Sequence, residues 1–185
     1  MIKRLRPTHS EETLADMYSA PYDSTKWDEH NHRVEWTIER LQLFLTLRQE
    51  ITSIADLSCG DGRIIDGLET NASKTKSDIS MKGGESIERM ITKISADLLI
   101  CSETLEHLDD PKWVLAAATK RFKWICITTP LGEDDPEKNY EHYWGWDLFG
   151  MSQILEQTLW APRWVDTLNE SYYTYQLWIA RSTWA

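Results

Sequence analysis

Residues 54–65, Ile-Ala-Asp-Leu-Ser-Cys-Gly-Asp-Gly-Arg-Ile-Ile, constrain the fold more than any other stretch. A short apolar run over 54–57 ends in small residues, and an apolar-periodic segment follows, which reads as strand, tight loop and helix. Gly60 and Gly62 carry no Cβ and tolerate positive φ, so the backbone there can approach a ligand closely. A helix opening at the loop turns free N–H groups toward the same point. Asp56 ends the strand, at the carboxyl edge where open α/β sheets take their ligands.

The pattern Asp56-x-Ser58-x-Gly60-x-Gly62 resembles motif I of the class I S-adenosylmethionine (SAM) dependent methyltransferases, D-x-G-x-G-x-G. Ser58 departs from it at the first glycine. It is small but takes positive φ less freely. The other reading is an ordinary βα turn that happens to hold two glycines, and a glycine-rich loop alone is weak. The rest of the chain decides between them.

The length of 185 residues suits one domain with one good core. Residues 1–50 are expected to form a helical lid on a core of 51–185. No apolar run approaches the ~20 residues of a membrane span, and the basic start, 1–7, lacks the apolar stretch of a signal peptide. Cys59, Cys101 and Cys126 form no C-x-x-C pair and fit a reducing, cytoplasmic setting, with small-residue packing as their role. A net charge of −10 argues against broad nucleic-acid binding but leaves room for a local basic patch. Lys3, Arg4 and Arg6 make one such cluster, which reads as a flexible tail.

Taken in order, 10–19 reads as a short helix with Ser10 as its cap. A strong amphipathic helix follows, with Val34, Ile38, Leu41, Leu45 and Arg48 at helical spacing and Phe44 and Leu47 widening the stripe. The resemblance makes this region a cover over the cofactor and places Tyr18, Tyr22, Trp27, His30, His32 and Arg33 in it. Each taken singly also reads as an exposed polar or packing residue. Strand 53–57 leads through the glycine loop to a helix over 63–69. A polar second strand ends near Asp78, whose carboxylate suits ribose hydroxyls, or else caps a turn. Between Asp78 and Asp97 there is room for little beyond one helix, 85–94. The third strand of the family is therefore expected to be shortened or missing, and Ile79 is the one candidate left to pack on adenine.

Run 96–101 is a buried strand. Pro111 opens a helix carrying Trp113, Val114, Ala117 and Ala118. Strand 122–128 ends in Thr-Thr-Pro, an acidic loop runs over 131–143, and a helix over 147–157 turns Leu148, Ile154 and Leu155 inward. Two β-rich runs, 163–168 and 172–180, flank a turn at 169–171. The expected fold is α/β: a compact, Rossmann-like, doubly wound, mostly parallel sheet with an antiparallel C-terminal edge. That edge is open to pairing with a second copy, a homodimer.

Glu103-Thr-Leu-Glu-His107 follows strand 96–101. If helical, Glu103, Glu106 and His107 share one face. The order E-x-x-E-H resembles two metal-assisted O-methyltransferase groups, the ubiquinone-pathway enzymes and the small-RNA 3′-terminal 2′-O-methyltransferases. In the second group a later histidine completes the site, and His142 of Glu141-His-Tyr-Trp-Gly-Trp146 stands in that place. The resemblance thus implies Mg²⁺ or Zn²⁺ on Glu103, Glu106, His107 and His142. A metal-free acid–base or positioning role, and a purely structural one, remain as alternatives.

The combined reading is a SAM-dependent methyltransferase acting on an oxygen, or less readily a nitrogen, of a small-molecule acceptor. Glu103, His107 and His142 are the catalytic candidates. Asp56, Ser58, Cys59, Gly60, Gly62, Asp78, Ile79 and Ser102 are implied to hold the cofactor, and Tyr143, Trp144 and Trp146 to line the acceptor pocket. Two rivals stand beside it: a metal-dependent RNA ribose 2′-O-methyltransferase, and a non-catalytic SAM-binding or interaction module.

Overall fold

Strand-forming runs and capped helices alternate along the chain. The computed structural model describes residues 1–10, 13, 17, 23, 25 and 28–184. Its elements are β1 (Ile2–Arg4), α1 (Asp28–Leu47), β2 (Ser53–Asp56), α2 (Arg63–Gly67), β3 (Ser73–Lys76) and α3 (Ile87–Met90). Then come β4 (Ala96–Ser102), a 3-10 turn (Leu105–His107), α4 (Pro111–Ala118), β5 (Phe122–Pro130), β6 (Trp144–Trp146), α5 (Leu148–Gln157), β7 (Trp160–Asn169) and β8 (Thr174–Ser182). Most of the helix expected over 10–19, with Tyr18, Tyr22 and Trp27, lies outside the described residues.

Six strands form one sheet in the order β3-β2-β4-β5-β8-β7. The first three pairings are parallel, and β5-β8 and β8-β7 are antiparallel. This is the expected mixed sheet with an antiparallel C-terminal edge. Residues 77–95, all described, hold only the short α3 and no strand, so the third strand of the usual arrangement is missing. Too few residues separate β3 from β4 for a full crossover and a further strand.

Side-chain alternation along the central strands makes two apolar layers. Leu98, Ile100, Trp124, Cys126, Leu177 and Ile179 face α1 and α2, packing with Val34, Leu41, Phe44, Leu45 and Ile65. Leu99, Cys101, Ile125, Ile127, Trp178 and Ala180 face the other way, onto Val114, Leu115, Ile154 and Leu155 of α4 and α5. Both of those helices carry side-chain caps: Asp110 accepts from Trp113 N at 2.9 Å, and Asp147 accepts from Gly150 N at 2.7 Å. All three cysteines are free; Cys101 and Cys126 are buried in the sheet.

Three expectations need correction. Leu148 and Leu47 are exposed, 41% and 68%, because each sits at a helix end beyond the reach of the sheet. The N-terminal basic cluster is no flexible tail. β1 pairs antiparallel with β6 (Ile2 opposite Trp146) in a second, two-stranded sheet. Arg4 donates to the Asp109 carboxylate at 2.9 Å and lies 4.7 Å from the Trp144 ring centre. Paired backbone and a fixed guanidinium leave this segment little freedom. Among the described residues no helix is long and apolar enough to cross a membrane.

Because α1 is a layer of the core, its two faces should respond very differently to truncation. Leu41→Ala, at a fully buried position, is expected to cost about 2–5 kcal/mol in urea unfolding. Leu43→Ala, about half exposed, is expected to stay within about 0.5 kcal/mol. Equal effects would show that the helix is peripheral.

Candidate functional site

The glycine loop connects β2 to α2 with Gly60 at φ 53° and Gly62 at φ 80°, a region that favours glycine. Ser58 has no positive φ, and its hydroxyl meets Thr104 Oγ1 at 2.7 Å. The serine thus ties this loop to the segment after β4. Cys59 N donates to Ser77 O at 3.1 Å, and Gly60 N donates to Asp78 Oδ2 at 2.8 Å. The Asp78 carboxylate also accepts from Ser80 N and Ser80 Oγ, at 2.9 and 2.6 Å. Asp78 is therefore held directly against the glycine loop.

These loops open onto a cleft of about 650 Å³ at the carboxyl edge of the parallel strands. Asp56, Ser58, Cys59, Gly60, Asp78, Ile79 and Ser102 all line it; Gly62 stands behind, at the start of α2. Of the expected cover, His30 and Arg33 reach the cleft, while His32 turns away to Glu170 at 3.5 Å. Arg33 donates to Ser102 Oγ at 3.0 Å and lies 5.8 Å from the Tyr175 ring centre. Burial pushes the Asp56 carboxyl up to about 7, against the opposing hydrogen bond from Ser58. It also raises the Cys59 thiol to about 12, so that sulfur stays protonated and is a poor nucleophile.

The helix expected to align Glu103 with Glu106 and His107 does not form as drawn. Glu103 takes φ 48°, its N–H held by Thr128 O at 2.9 Å, and only Leu105–His107 turn as a 3-10 helix. The β4–β5 pairing thus runs one residue too far for Glu103 to join the turn. Among the described residues Glu106, His107 and His142 are the group that could hold a metal ion, one ligand atom from each lying within 4.8 Å of the others. Glu103 stands apart from that group, although it too lines the cleft.

Both histidines are oriented through Nδ1. His107 Nδ1 donates to Glu141 O at 3.1 Å, and His142 Nδ1 meets Glu133 Oε2 at 2.5 Å. Asn139 Nδ2 reaches His142 Nε2 at 3.0 Å, while Asn139 Oδ1 accepts from Glu141 N, which fixes the amide's direction. The Nε2 lone pair of His142 therefore points out of its carboxylate pair. The two rings meet edge to face, 4.8 Å apart. Burial, and then His142, lower His107 to about 3, keeping it neutral. Burial raises Glu103, and raises Glu106 well above the usual carboxylate range, with Glu103 adding to the latter. Glu103 Oε1 and Glu106 Oε1 are buried without a hydrogen-bond partner among the described residues. Glu106 Oε2 accepts from Thr129 at 3.1 Å.

The aromatic wall of the cleft is not the one expected. Tyr143 and Trp146 are buried away from it, and Trp144 donates from its indole to Leu108 O at 2.9 Å. Of that segment Glu141 and His142 enter, because strand β6 turns the following rings under the loop. Tyr173 and Tyr175 supply the wall instead, and Tyr173 donates to Glu133 Oε1 at 3.3 Å. Glu133, buried beneath His142, was hidden in an acidic run with no marker of its own. Ser86, Glu88 and Arg89, around α3, also line the cleft where the missing strand would have led.

No family model matches the sequence, and no curated protein matches it. Solved structures do match. Magnesium protoporphyrin IX methyltransferase from Synechocystis with bound SAH has a TM-score of 0.71 at 12% identity over 94% of this chain and 100% of that one. The 1,6-didemethyltoxoflavin-N1-methyltransferase of Burkholderia thailandensis gives 0.64 at 14% identity, over 98% and 95%. A SAM-dependent methyltransferase from Clostridium acetobutylicum gives 0.55 at 11%, over 92% and 98%. The chain has the class I SAM-dependent methyltransferase fold.

The buried Asp56 makes a pH-dependent contribution whose sign is fixed. Its folded pKa, about 7, exceeds the ordinary 3.8. Between those values the folded state binds the extra proton, so this contribution to stability falls as pH rises from about 4 to about 7. Asp56→Asn should remove that slope: in urea unfolding at several pH values the variant gains on the wild type as pH rises. Parallel curves would overturn this account.

Proposed function

We propose that this chain is a SAM-dependent methyltransferase that alkylates an oxygen of a small-molecule acceptor. The observation that carries the reading is the hydrogen bond between Gly60 N and Asp78 Oδ2. It joins the glycine loop to the acid after β3 at the mouth of a cleft in the methyltransferase fold. Asp78 Oδ2 keeps a second acceptor position, and the Ser80 hydroxyl on Oδ1 is exchangeable, so a ribose diol has a place to bind. Asp56, Ser58, Cys59 and Gly60 would border the rest of the cofactor, with Gly62 allowing the turn, half-exposed Ile79 against adenine, and Ser102 near the sulfur. The cleft volume falls within the roughly 300–1,000 Å³ usual for small-molecule sites. The acceptors for which the matched enzymes are named, a porphyrin and a didemethyltoxoflavin, support the same class.

The sulfonium of SAM supplies an electrophilic methyl group. The chain supplies alignment and a proton acceptor, and alignment alone can contribute roughly 7–11 kcal/mol. His142 is the best placed base: Glu133 holds Nδ1, and release of the Asn139 amide frees Nε2 for the acceptor hydroxyl. As the acceptor oxygen took the methyl group, the methyl–sulfur bond would break and S-adenosylhomocysteine would leave with the electron pair, while the hydroxyl proton would pass to Nε2 and Glu133 would stabilise the imidazolium. Glu103, held toward its protonated form by burial, can donate a hydrogen bond to the acceptor. Tyr173 and Tyr175 give it an aromatic wall.

A metal-assisted variant is favoured by one observation. Both histidines spend Nδ1 on acceptors, and Glu106 keeps a buried, unpartnered Oε1. Two imidazoles and a carboxylate fit Zn²⁺ better than Mg²⁺. His107, His142 and Glu106 would hold the ion, which would lower the pKa of a bound hydroxyl.

Calorimetric titration with S-adenosylhomocysteine tests the cofactor site. Micromolar binding is expected, weakened at least about tenfold in Asp78→Ala, since that change leaves a hydroxyl pair unpartnered. No binding under any condition sinks the methyltransferase reading. In an acceptor screen, loss of turnover in EDTA restored by Zn²⁺ selects the metal variant, and indifference to EDTA selects His142 alone.

A further inference from the structure

A second cleft, of about 640 Å³, opens at the opposite end of the sheet. Ser53, Ala96 and Phe122, which start β2, β4 and β5, form its floor, whereas Asp56 and Ser102 at the other ends of those strands face the first cleft. Seven residues of β4 put the two about 20 Å apart. Cations from distant parts of the chain meet there: Arg48 after α1, Lys120, Arg121 and Lys123 before and in β5, and Arg181 in β8. The carboxylates are Glu50 and Asp97. Glu50 is paired with Arg48 at 3.8 Å, and Asp97 with Lys123 at 2.7 Å. Five cations against two acids leave +3 locally on a chain of −10. Lys120, Arg121 and Arg181 are exposed and have no carboxylate partner among the described residues.

Aromatic rings are interleaved with these charges. The buried Trp124 lies under the Arg48 and Arg181 guanidinium groups, 5.0 and 5.8 Å from its centre. Trp184 stands at the rim with 53% of its surface exposed and the Lys120 ammonium 5.2 Å from its centre. An exposed indole beside unpaired cations suits a ligand that alternates flat rings with negative charges.

We propose that this cleft binds single-stranded nucleic acid, its phosphates along Lys120, Arg121 and Arg181 and a base stacked on Trp184. Free cations tracking a backbone, with an aromatic platform for bases, are what sequence-tolerant single-strand sites require. A duplex fits less well, because its bases are already stacked and would leave Trp184 idle. The acidic bulk of the protein does not cancel the local field. At physiological salt the screening length is about 8 Å, well short of the roughly 20 Å to the first cleft. The binding needs neither turnover nor methylation of the strand, so it stands apart from the chemistry of the first cleft.

Fluorescence anisotropy with labelled RNA and DNA strands of about 12 nucleotides, titrated with the whole protein, tests this. Binding is expected at low salt with a log–log salt slope of about −2 to −3.5, since each phosphate neutralised on a single strand contributes about −0.7. The combined variant Lys120→Glu, Arg121→Glu, Arg181→Glu should abolish binding. Trp184→Ala should weaken it about fivefold. All these positions are exposed, and unchanged thermal melting shows that the variants fold. Three results overturn the proposal: no binding at low salt, binding that survives the charge reversals, or heparin bound as tightly as the strands with Trp184→Ala without effect. The last would mark a surface for polyanions without bases.

Discussion

The parallel ladder between β4 and β5 decides where the chemistry of this chain can stand. Its register, from Ala96 opposite Phe122 to Ser102 opposite Thr128, is buried on both faces. A slip of one residue would turn every apolar side chain to the wrong layer. The same ladder brings Glu103 to Thr128 O and Glu106 to the Thr129 hydroxyl. The pairing thus places two carboxyl groups, the two histidines and the glycine loop on one edge. It also pulls the amino ends of the strands together at the other edge, where the basic side chains collect.

Burial drives ionisable groups in and behind the first cleft toward neutrality. Glu103 and Glu106 are raised and His107 is lowered, each chiefly by loss of water. Elsewhere direct hydrogen bonds set the arrangement, as between Glu133 and His142 Nδ1, with the Tyr173 hydroxyl donating to Glu133 from behind. A carboxyl held toward its protonated form by burial, Glu103, therefore lines the same cleft as an imidazole oriented by a carboxylate, His142. Polar joints elsewhere follow the same rule. Buried Gln176 donates to Pro130 O and Trp146 O and accepts from the Trp178 indole, closing the corner where three strands meet.

Locally encoded features were legible in the sequence. The glycine loop, the apolar run of β4, Pro111 at a helix start and the hairpin near Asn169 all announce themselves within a few residues. The lost strand was legible too, since the chain between Asp78 and Asp97 is simply too short. What failed depended on distant contacts. Glu103 looked like the first residue of a helix, but its backbone N–H is claimed by Thr128 of the neighbouring strand. Tyr143 and Trp146 looked like pocket rings, but pairing of β6 with β1 turns them inward. Tyr173, just before β8, and Tyr175 within it carry no local mark, and they face the cleft only because β8 runs beside β5. Arg48, Arg121 and Arg181 form no charge run and become neighbours through the fold alone.

The antiparallel pairing of Ile2–Arg4 with Trp144–Trp146 joins segments far apart in the chain. Its strands contribute few bonds, and Leu5 N to Tyr143 O and Tyr143 N to Glu106 O continue the seam toward the histidines. Contacts of such wide separation close a large loop for little local return, so they form late and open early. The sheet can mature while the segment carrying Glu133 and His142 is still unsettled. Assembly of the protein is therefore expected to order the central sheet before the reactive edge. Native-state hydrogen exchange would follow the same division, with the slowest amides in β4 and β5 and faster ones along the seam.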